Sequence, residues 1–307
     1  MRDFLTKALS LALLLCIIFN LGACSFIGGG PTADEPQEDD PVVEKPQPIE
    51  LDLELMSFNI RINVDGGEHS WDNRKDKIVS YLKARAADVI CLQEVVTAQY
   101  EYIRDGVSSK YDVIHYRRAE RGSEGLAIAY DKEKFELIEQ RMFWLSETPD
   151  EMSYGWGAKY YRICVNVLLK HKETGAYLDV YNVHLDSESR EARLNGIKLI
   201  MQKAEGRGYP IYLAGDFNDT IGSPCYQVLD GKLVDCQLYA DETMEGTTWH
   251  DWGKIPDEKN DSIDFCFVSD DITPLVFRIC RDKARDGSYY SDHYAVWTKV
   301  KMLVEQN

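Results

Sequence analysis

Short apolar runs and helical repeats alternate along the chain, and several of the apolar runs end in a cluster of polar side chains. Residues 51–60, L-D-L-E-L-M-S-F-N-I, alternate apolar and polar positions at their start and predict a strand. It ends in Ser57-Phe58-Asn59-Ile60-Arg61. Asp72 opens a stretch running to about Ala86, with Ile78 and Leu82 at i, i+4 spacing, which predicts a helix. Residues 88–92, D-V-I-C-L, predict a buried strand that delivers Gln93 and Glu94 at its end, and a second helix is expected over 97–107. Strand, helix, strand, helix is one half of a layered α/β fold.

The middle of the chain is richer in strands, expected at 125–130, 135–145, 160–169 and 176–186. The last contains L-D-V-Y-N-V-H-L-D, whose alternation puts Asn182, His184 and Asp186 on one face. A helix follows from 189 or 191 to about 206, with Leu194, Ile197, Met201 and Ala204 as its inner stripe. The run Ile211-Tyr212-Leu213-Ala214, between Pro210 and Gly215, predicts a short buried strand. Asp216 and Asn218 come directly after it. In extended chain they point to the same side, and this oxygen-rich pair suits a hard cation or a water to be deprotonated. The competing expectation is an Asx-type turn that only caps the strand. A short helix is expected at 223–229 and strands at 262–269, 274–280 and 294–302. Asp264 lies near the start of the first of these, and Ser291-Asp292-His293 precedes the last.

The N-terminus reads differently. Arg2 and Lys7 flank the start of an apolar run over 8–19, whose twelve residues are too few to span a bilayer. The run leads into Leu21-Gly22-Ala23-Cys24, which resembles a bacterial lipobox and so implies cleavage before Cys24 and lipidation of its thiol. An ordinary secretory signal with a coincidental Cys is the alternative. Residues 28–50 hold three consecutive glycines, five prolines and an acidic run, a composition that predicts a solvated tether. The expected organisation is a signal over 1–23, a tether over 24–50 and one domain over 51–307. The chain of 307 residues carries a net charge of −17, and the acid is not confined to the tether. That balance opposes tight binding of long nucleic acid through its backbone. Cys91, Cys164 and Cys266 sit in strand-like runs and should be small buried hydrophobes. Cys225, Cys236 and Cys280 permit a disulfide that sequence cannot assign.

Taken in order, S-F-N-I-R, Q-E, N-V-H-L-D, G-D-F-N-D and S-D-H, with I-D-F before the last, resemble the motifs of the endonuclease/exonuclease/phosphatase superfamily with its DNase-I-like fold. The resemblance covers roughly residues 53–301. It implies a four-layered α/β sandwich, two mixed sheets face to face with helices outside, and metal-dependent cleavage of phosphate esters. Such chemistry needs a cation to neutralise the anionic ester, a base for water and donors for developing charge. Carboxylate and carboxamide oxygens favour Mg²⁺ or Mn²⁺. By resemblance, Asn59, Glu94 and Asp292 hold the metal. Asp216 orients or deprotonates the attacking water, and Asn218 positions it or the phosphate. His293 contacts the phosphate with its ring held by Asp264, and His184 supplies a second imidazole. Asn182 supports the site. Arg162 either clamps phosphate or is a surface strand Arg. Tyr130 either donates to the phosphate or is a half-buried strand Tyr. Trp249, in T-T-W-H-D-W, either stacks on a base or sugar or packs a long loop.

Arg61 stands where some abasic-site nucleases of the superfamily carry an acid, which argues against that DNA-repair branch. A nuclease on extracytoplasmic DNA or RNA fragments and an enzyme acting on small or lipid-derived phosphates share this chemistry, so both are open. A non-catalytic surface binding protein would be expected to have lost one of Glu94, Asp216, Asn218, Asp264 or His293, and all are present. The protein is expected to be extracytoplasmic, anchored to the membrane by its lipid, and monomeric.

Overall fold

A computed structural model describes residues 47–120, 122–257 and 262–305. The leader, Cys24 and the tether as far as residue 46 lie outside the described residues. In chain order the strands are β1 (Ile49–Asn59), β2 (Val89–Val95), β3 (Tyr111–Arg117), β4 (Gly125–Asp131), β5 (Phe135–Trp144) and β6 (Ile163–His171). They continue with β7 (Tyr177–His184), β8 (Ile211–Asp216), β9 (Val234–Asp235), β10 (Asp264–Val268), β11 (Ile272–Cys280) and β12 (Ala295–Val304). The helices are α1 (Trp71–Arg85), α2 (Thr97–Val107), α3 (Arg190–Ala204), α4 (Pro224–Gln227) and α5 (Cys236–Tyr239).

The strands form two six-stranded sheets, in the orders β11-β12-β1-β2-β4-β3 and β5-β6-β7-β8-β10-β9. Each has one parallel pair at its centre, β1–β2 joined through α1 and β7–β8 joined through α3. Three apolar clusters fill the layers. One lies between the sheets, one joins the first sheet to α1 and α2, and one joins the second sheet to α3 and α4. This is the expected four-layered α/β sandwich. Each fully buried Leu, Ile or Phe contributes about 1.5–3 kcal/mol here.

The strand pleat decides where the polar groups go. Leu53 and Leu55 of β1, Val89 and Cys91 of β2, Val180 of β7, Ala214 of β8 and Cys266 of β10 all face the inter-sheet core. Two residues further along the same face come Ser57 and Asn59, Gln93, Asn182 and His184, and Asp216, while β10, running the other way, has Asp264 two residues earlier. The inward face is apolar along most of each strand and polar at one end. The sandwich therefore carries a buried polar cluster at the carboxyl ends of both parallel pairs.

Three features depart from the sequence expectations. β3 is an edge strand whose mixed pattern, Y-D-V-I-H-Y-R, reflects one half-solvated face. β9 and α5 are too short to show a period. Helix α3 turns Ala192, Gly196, Ile197, Ile200 and Ala204 inward, leaving Leu194 and Met201 only half-buried, because it seats on its small residues against Leu145. The six cysteines from Cys91 to Cys280 are all buried and free, so no disulfide forms among them.

Gly215, at φ 149°, lies just before Asp216, and a Cβ there would run into the Val183 carbonyl. Gly215→Ala is expected to lower the unfolding free energy by roughly 2 kcal/mol or more, measured by denaturant titration. An unchanged midpoint would contradict this close packing of β7 on β8.

Candidate active site

The polar cluster is knit together across the two sheets. Asn59 donates through Nδ2 to Glu94 Oε1 at 3.1 Å and to Asp216 Oδ2 at 3.0 Å. Its Oδ1 accepts from the Arg61 N–H at 3.0 Å. Gln93 donates to Ser57 Oγ and Asn182 Oδ1, and Asn182 donates to the Leu92 and Ala127 carbonyls. The pairing of β2 with β4 slips between Leu92 and Val95, a bulge that frees Glu94 to turn toward the site. Arg61, Glu94, Asn218 and Asp251 all have left-handed backbone, at φ 59°, 61°, 49° and 43°. Strain of this kind gathers where side chains must be aimed.

Asp216, His293 and Asp264 form a chain of groups. His293 Nδ1 lies 2.9 Å from Asp264 Oδ2, and its Nε2 lies 3.8 Å from Asp216 Oδ2. Burial works against charge on His293, but Asp264, by charge and by hydrogen bond, and Asp216 outweigh it and push the imidazole to about 10. Burial raises Asp216 to about 7, reinforced by repulsion from Asp264 and opposed by His293. His184 is held well below the ordinary histidine value by burial and by Arg162 and Arg118. One imidazole is thus cationic and the other neutral, with a carboxylate near neutrality between them. His184 Nε2 lies 3.5 Å from Asp216.

These groups open into a cavity of about 510 Å³. Glu94, Glu124, Asp216, Asp251 and Asp292 line it, with Arg61, Arg118, Arg162 and His293 as the cationic groups. Asp292 is partly screened by Arg61 at 3.7 Å. Carboxylates outnumber guanidiniums, so an anionic phosphate needs a cation there. Glu94 and Asp292 both line the cavity as hard oxygen donors, and this donor type fits Mg²⁺ or Mn²⁺. Ligand atoms of Asp216, Asp264 and His293 also lie within 4.8 Å of one another, close enough to hold a metal. The His293–Asp264 hydrogen bond occupies one side of that cluster, while Glu94 accepts from Asn59 and from the Ile62 N–H and Asp292 faces Arg61.

Asn59 sits with its amide against Glu94 and Asp216, in reach of the group the sequence assigns to the metal. Several sequence expectations are corrected by position. Asn182 is fully buried and ties the sheets together without reaching the cavity. Tyr130 pairs with Val89 at the opposite end of β2, with its hydroxyl 3.4 Å from Asp112, so it cannot donate to a ligand in the site. Asn218 does not project in register with Asp216. Its N–H bonds Asp216 Oδ1 at 2.9 Å, so the turn and the site are the same feature. Arg162 is only 6% exposed and lines the cavity, which rules out a surface role. Trp249 stands at the rim, 40% exposed, bridged to His293 through the backbone, whereas Trp252 packs on His69 and Arg74.

Other residues emerge only in three dimensions. Arg74, 1% exposed, donates to the carbonyls of Ile60, Arg61, His69 and Tyr290. It braces the loops that carry Arg61 and Asp292 from below. Arg118 and Glu124, paired across the turn after β3, line the cavity beside His184. In sequence all three look like surface charges; burial marks Arg74 and Glu124, and the pairing with Glu124 marks the half-buried Arg118.

Asp264 holds the proton on His293, so Asp264→Asn should let burial dominate. The imidazole is then expected to titrate well below about 10, followed by NMR. Titration still near 10 would contradict the assigned pair.

The Endonuclease/Exonuclease/phosphatase family model matches residues 56–293. The chain is similar to the endonuclease/exonuclease/phosphatase from Bacteroides vulgatus, with 29% identity, a TM-score of 0.77, and coverage of 82% of this chain and 99% of that one. It is similar to the mannosyl-6-phosphatase Bt3783 of Bacteroides thetaiotaomicron, with 28% identity, a TM-score of 0.73, and coverage of 81% and 99%. Among curated relatives, the CCR4-Not complex 3'-5'-exoribonuclease subunit Ccr4 of Mycosarcoma maydis is 30% identical over 45% of this chain and 24% of its own length. The chain spans 66% or less of the first curated relatives it matches. On the extent of the family match, the chain belongs to the Endonuclease/Exonuclease/phosphatase family.

Proposed function

We propose that this protein is a divalent-cation-dependent phosphomonoesterase that acts on a small, hydroxyl-rich phosphate ester outside the cytoplasm, held to a membrane by a lipid on Cys24. The observation that carries this reading is the cavity itself, a bounded recess of about 510 Å³ in which Asp216, His293 and His184 converge beside Glu94 and Asp292. A recess suits a compact substrate. A net charge of −17 disfavours a long polyanion. The likeness to a mannosyl-6-phosphatase over 99% of that protein supports a monoester.

Glu94 and Asp292 would hold Mg²⁺ or Mn²⁺, which would offset the charge on the phosphate. Asp216, raised toward neutrality, accepts the proton of the attacking water, its carboxylate held by the Asn218 N–H on Oδ1 and the Asn59 amide on Oδ2. Cationic His293 donates from Nε2 to a phosphate oxygen while Asp264 keeps its Nδ1 engaged. His184 stays neutral and contributes a hydrogen bond without adding charge. Arg162 lines the same cavity beside Glu124, and Trp249 borders the entrance.

A nuclease is the second reading, supported by the identity with the Ccr4 exoribonuclease subunit. The full-length protein, assayed with p-nitrophenyl phosphate and bis-p-nitrophenyl phosphate, separates the two. Release from the monoester with Mg²⁺ or Mn²⁺, lost in EDTA, is expected. Asp216→Ala and His293→Ala should each lower the rate by about 10²-fold or more with the fold intact. Release from the diester alone would favour the nuclease, and near-normal turnover in either variant would remove that residue from the chemistry. For the anchor, Cys24→Ala should move the protein from the membrane fraction to the soluble fraction. Retention of the variant on membranes would refute the lipid.

A further inference from the structure

His184 divides the cavity. Its Nε2 lies 3.5 Å from Asp216 and its Nδ1 lies 3.8 Å from Glu124. One imidazole's width therefore separates the reacting carboxylate from a second group of charges. Arg118 pairs with Glu124 Oε1, and Arg162 Nη1 lies 3.5 Å from the same oxygen. Both guanidiniums sit over the Tyr160 ring, 4.9 Å and 5.3 Å from its centroid. The Tyr160 ring thus offers its π-face to both cations.

The cluster is short of partners. Arg162 is 6% exposed, yet its Nε has no hydrogen-bond partner and lies 3.8 Å from the nearest carboxylate, Asp186. Asp186 is already engaged by the N–H groups of Lys159, Tyr160, Glu188 and Ser189. Arg162 Nη1 reaches Glu124 only at 3.5 Å and its Nε donor is unpaired, so the cost of burying this guanidinium falls when a ligand supplies acceptors. The ligand must also suit Glu124, which repels an anion and wants a donor. A hydroxyl group both donates and accepts, so neighbouring hydroxyls can donate to Glu124 and accept from Arg118 and Arg162 at once. The phosphate belongs on the Asp216 and His293 side of His184, which leaves the alcohol part of the ester on the Glu124 side.

We propose that Arg118, Glu124 and Arg162 form a subsite for vicinal hydroxyls on the alcohol part of the ester, so that the substrate is a sugar phosphate whose ring lies beyond His184. This rests on the phosphomonoesterase reading above. The test is the ratio of kcat/KM for mannose 6-phosphate to that for phenyl phosphate, which has no hydroxyls, in the full-length protein with Mg²⁺. Glu124→Gln and Arg118→Gln should each lower that ratio about tenfold or more, equivalent to about 1.4 kcal/mol lost on the sugar alone. A ratio within about twofold of wild type in both variants, whether both substrates fall together or neither falls, overturns the subsite. Because the ratio is internal to each preparation, partial misfolding cancels, and the second variant stands if the first does not fold. Wild-type protein that cleaves diesters but neither monoester refutes the phosphomonoesterase reading, and the sugar subsite with it.

Discussion

Much of this site hangs on one carboxamide. Asn59 ends β1 in the first sheet and donates to Glu94 on the neighbouring strand and to Asp216 on the facing sheet. Two buried carboxylates from different layers would otherwise repel each other across a low-dielectric gap. The amide satisfies an oxygen of each and gives them a common reference point, while the Arg61 N–H holds its own oxygen. Around it, Gln93 and Asn182 repeat the same cross-sheet device with neutral groups. Such a network is stable only when nearly every member is bonded, which makes its geometry rigid.

The position of the network follows from the pleat. A strand buried on both sides shows no clean alternation, yet its two faces still have separate destinations. In β1, β2, β7, β8 and β10 the face that builds the inter-sheet core turns polar at one end, and because both parallel pairs point the same way, those ends coincide. The fold thus delivers an acid, an amide and an imidazole to one place using nothing but register. Loops then complete the site with Asp292 and His293, and Arg74 braces them through four backbone carbonyls.

This explains which parts were legible in the sequence. Polar residues ending apolar runs are visible as text, so Asn59, Glu94, His184, Asp216 and Asp264 stand out, and the layered order of strands and helices follows from the same runs. What a side chain does at its position is less visible. Asn59 reads only as a polar strand end, with nothing to show that its amide bridges two carboxylates from different sheets, and Tyr130 shares a strand with cavity neighbours but sits at the wrong end of it. Arg74, Arg118 and Glu124 carry no signal, because a charged residue reads as solvent-exposed unless tertiary contacts bury it. The edge strand β3 was missed for a related reason, since a half-solvated edge dilutes the apolar pattern on which the reading depends.

The central claim is that Glu94 anchors a divalent cation next to the Asp216 and His293 pair. Mn²⁺ binding, followed by electron paramagnetic resonance on wild type and Glu94→Gln, tests it without any substrate. The account expects saturable binding in wild type and at least about tenfold weaker binding in Glu94→Gln. Equal binding by both proteins, or none by wild type, would contradict it.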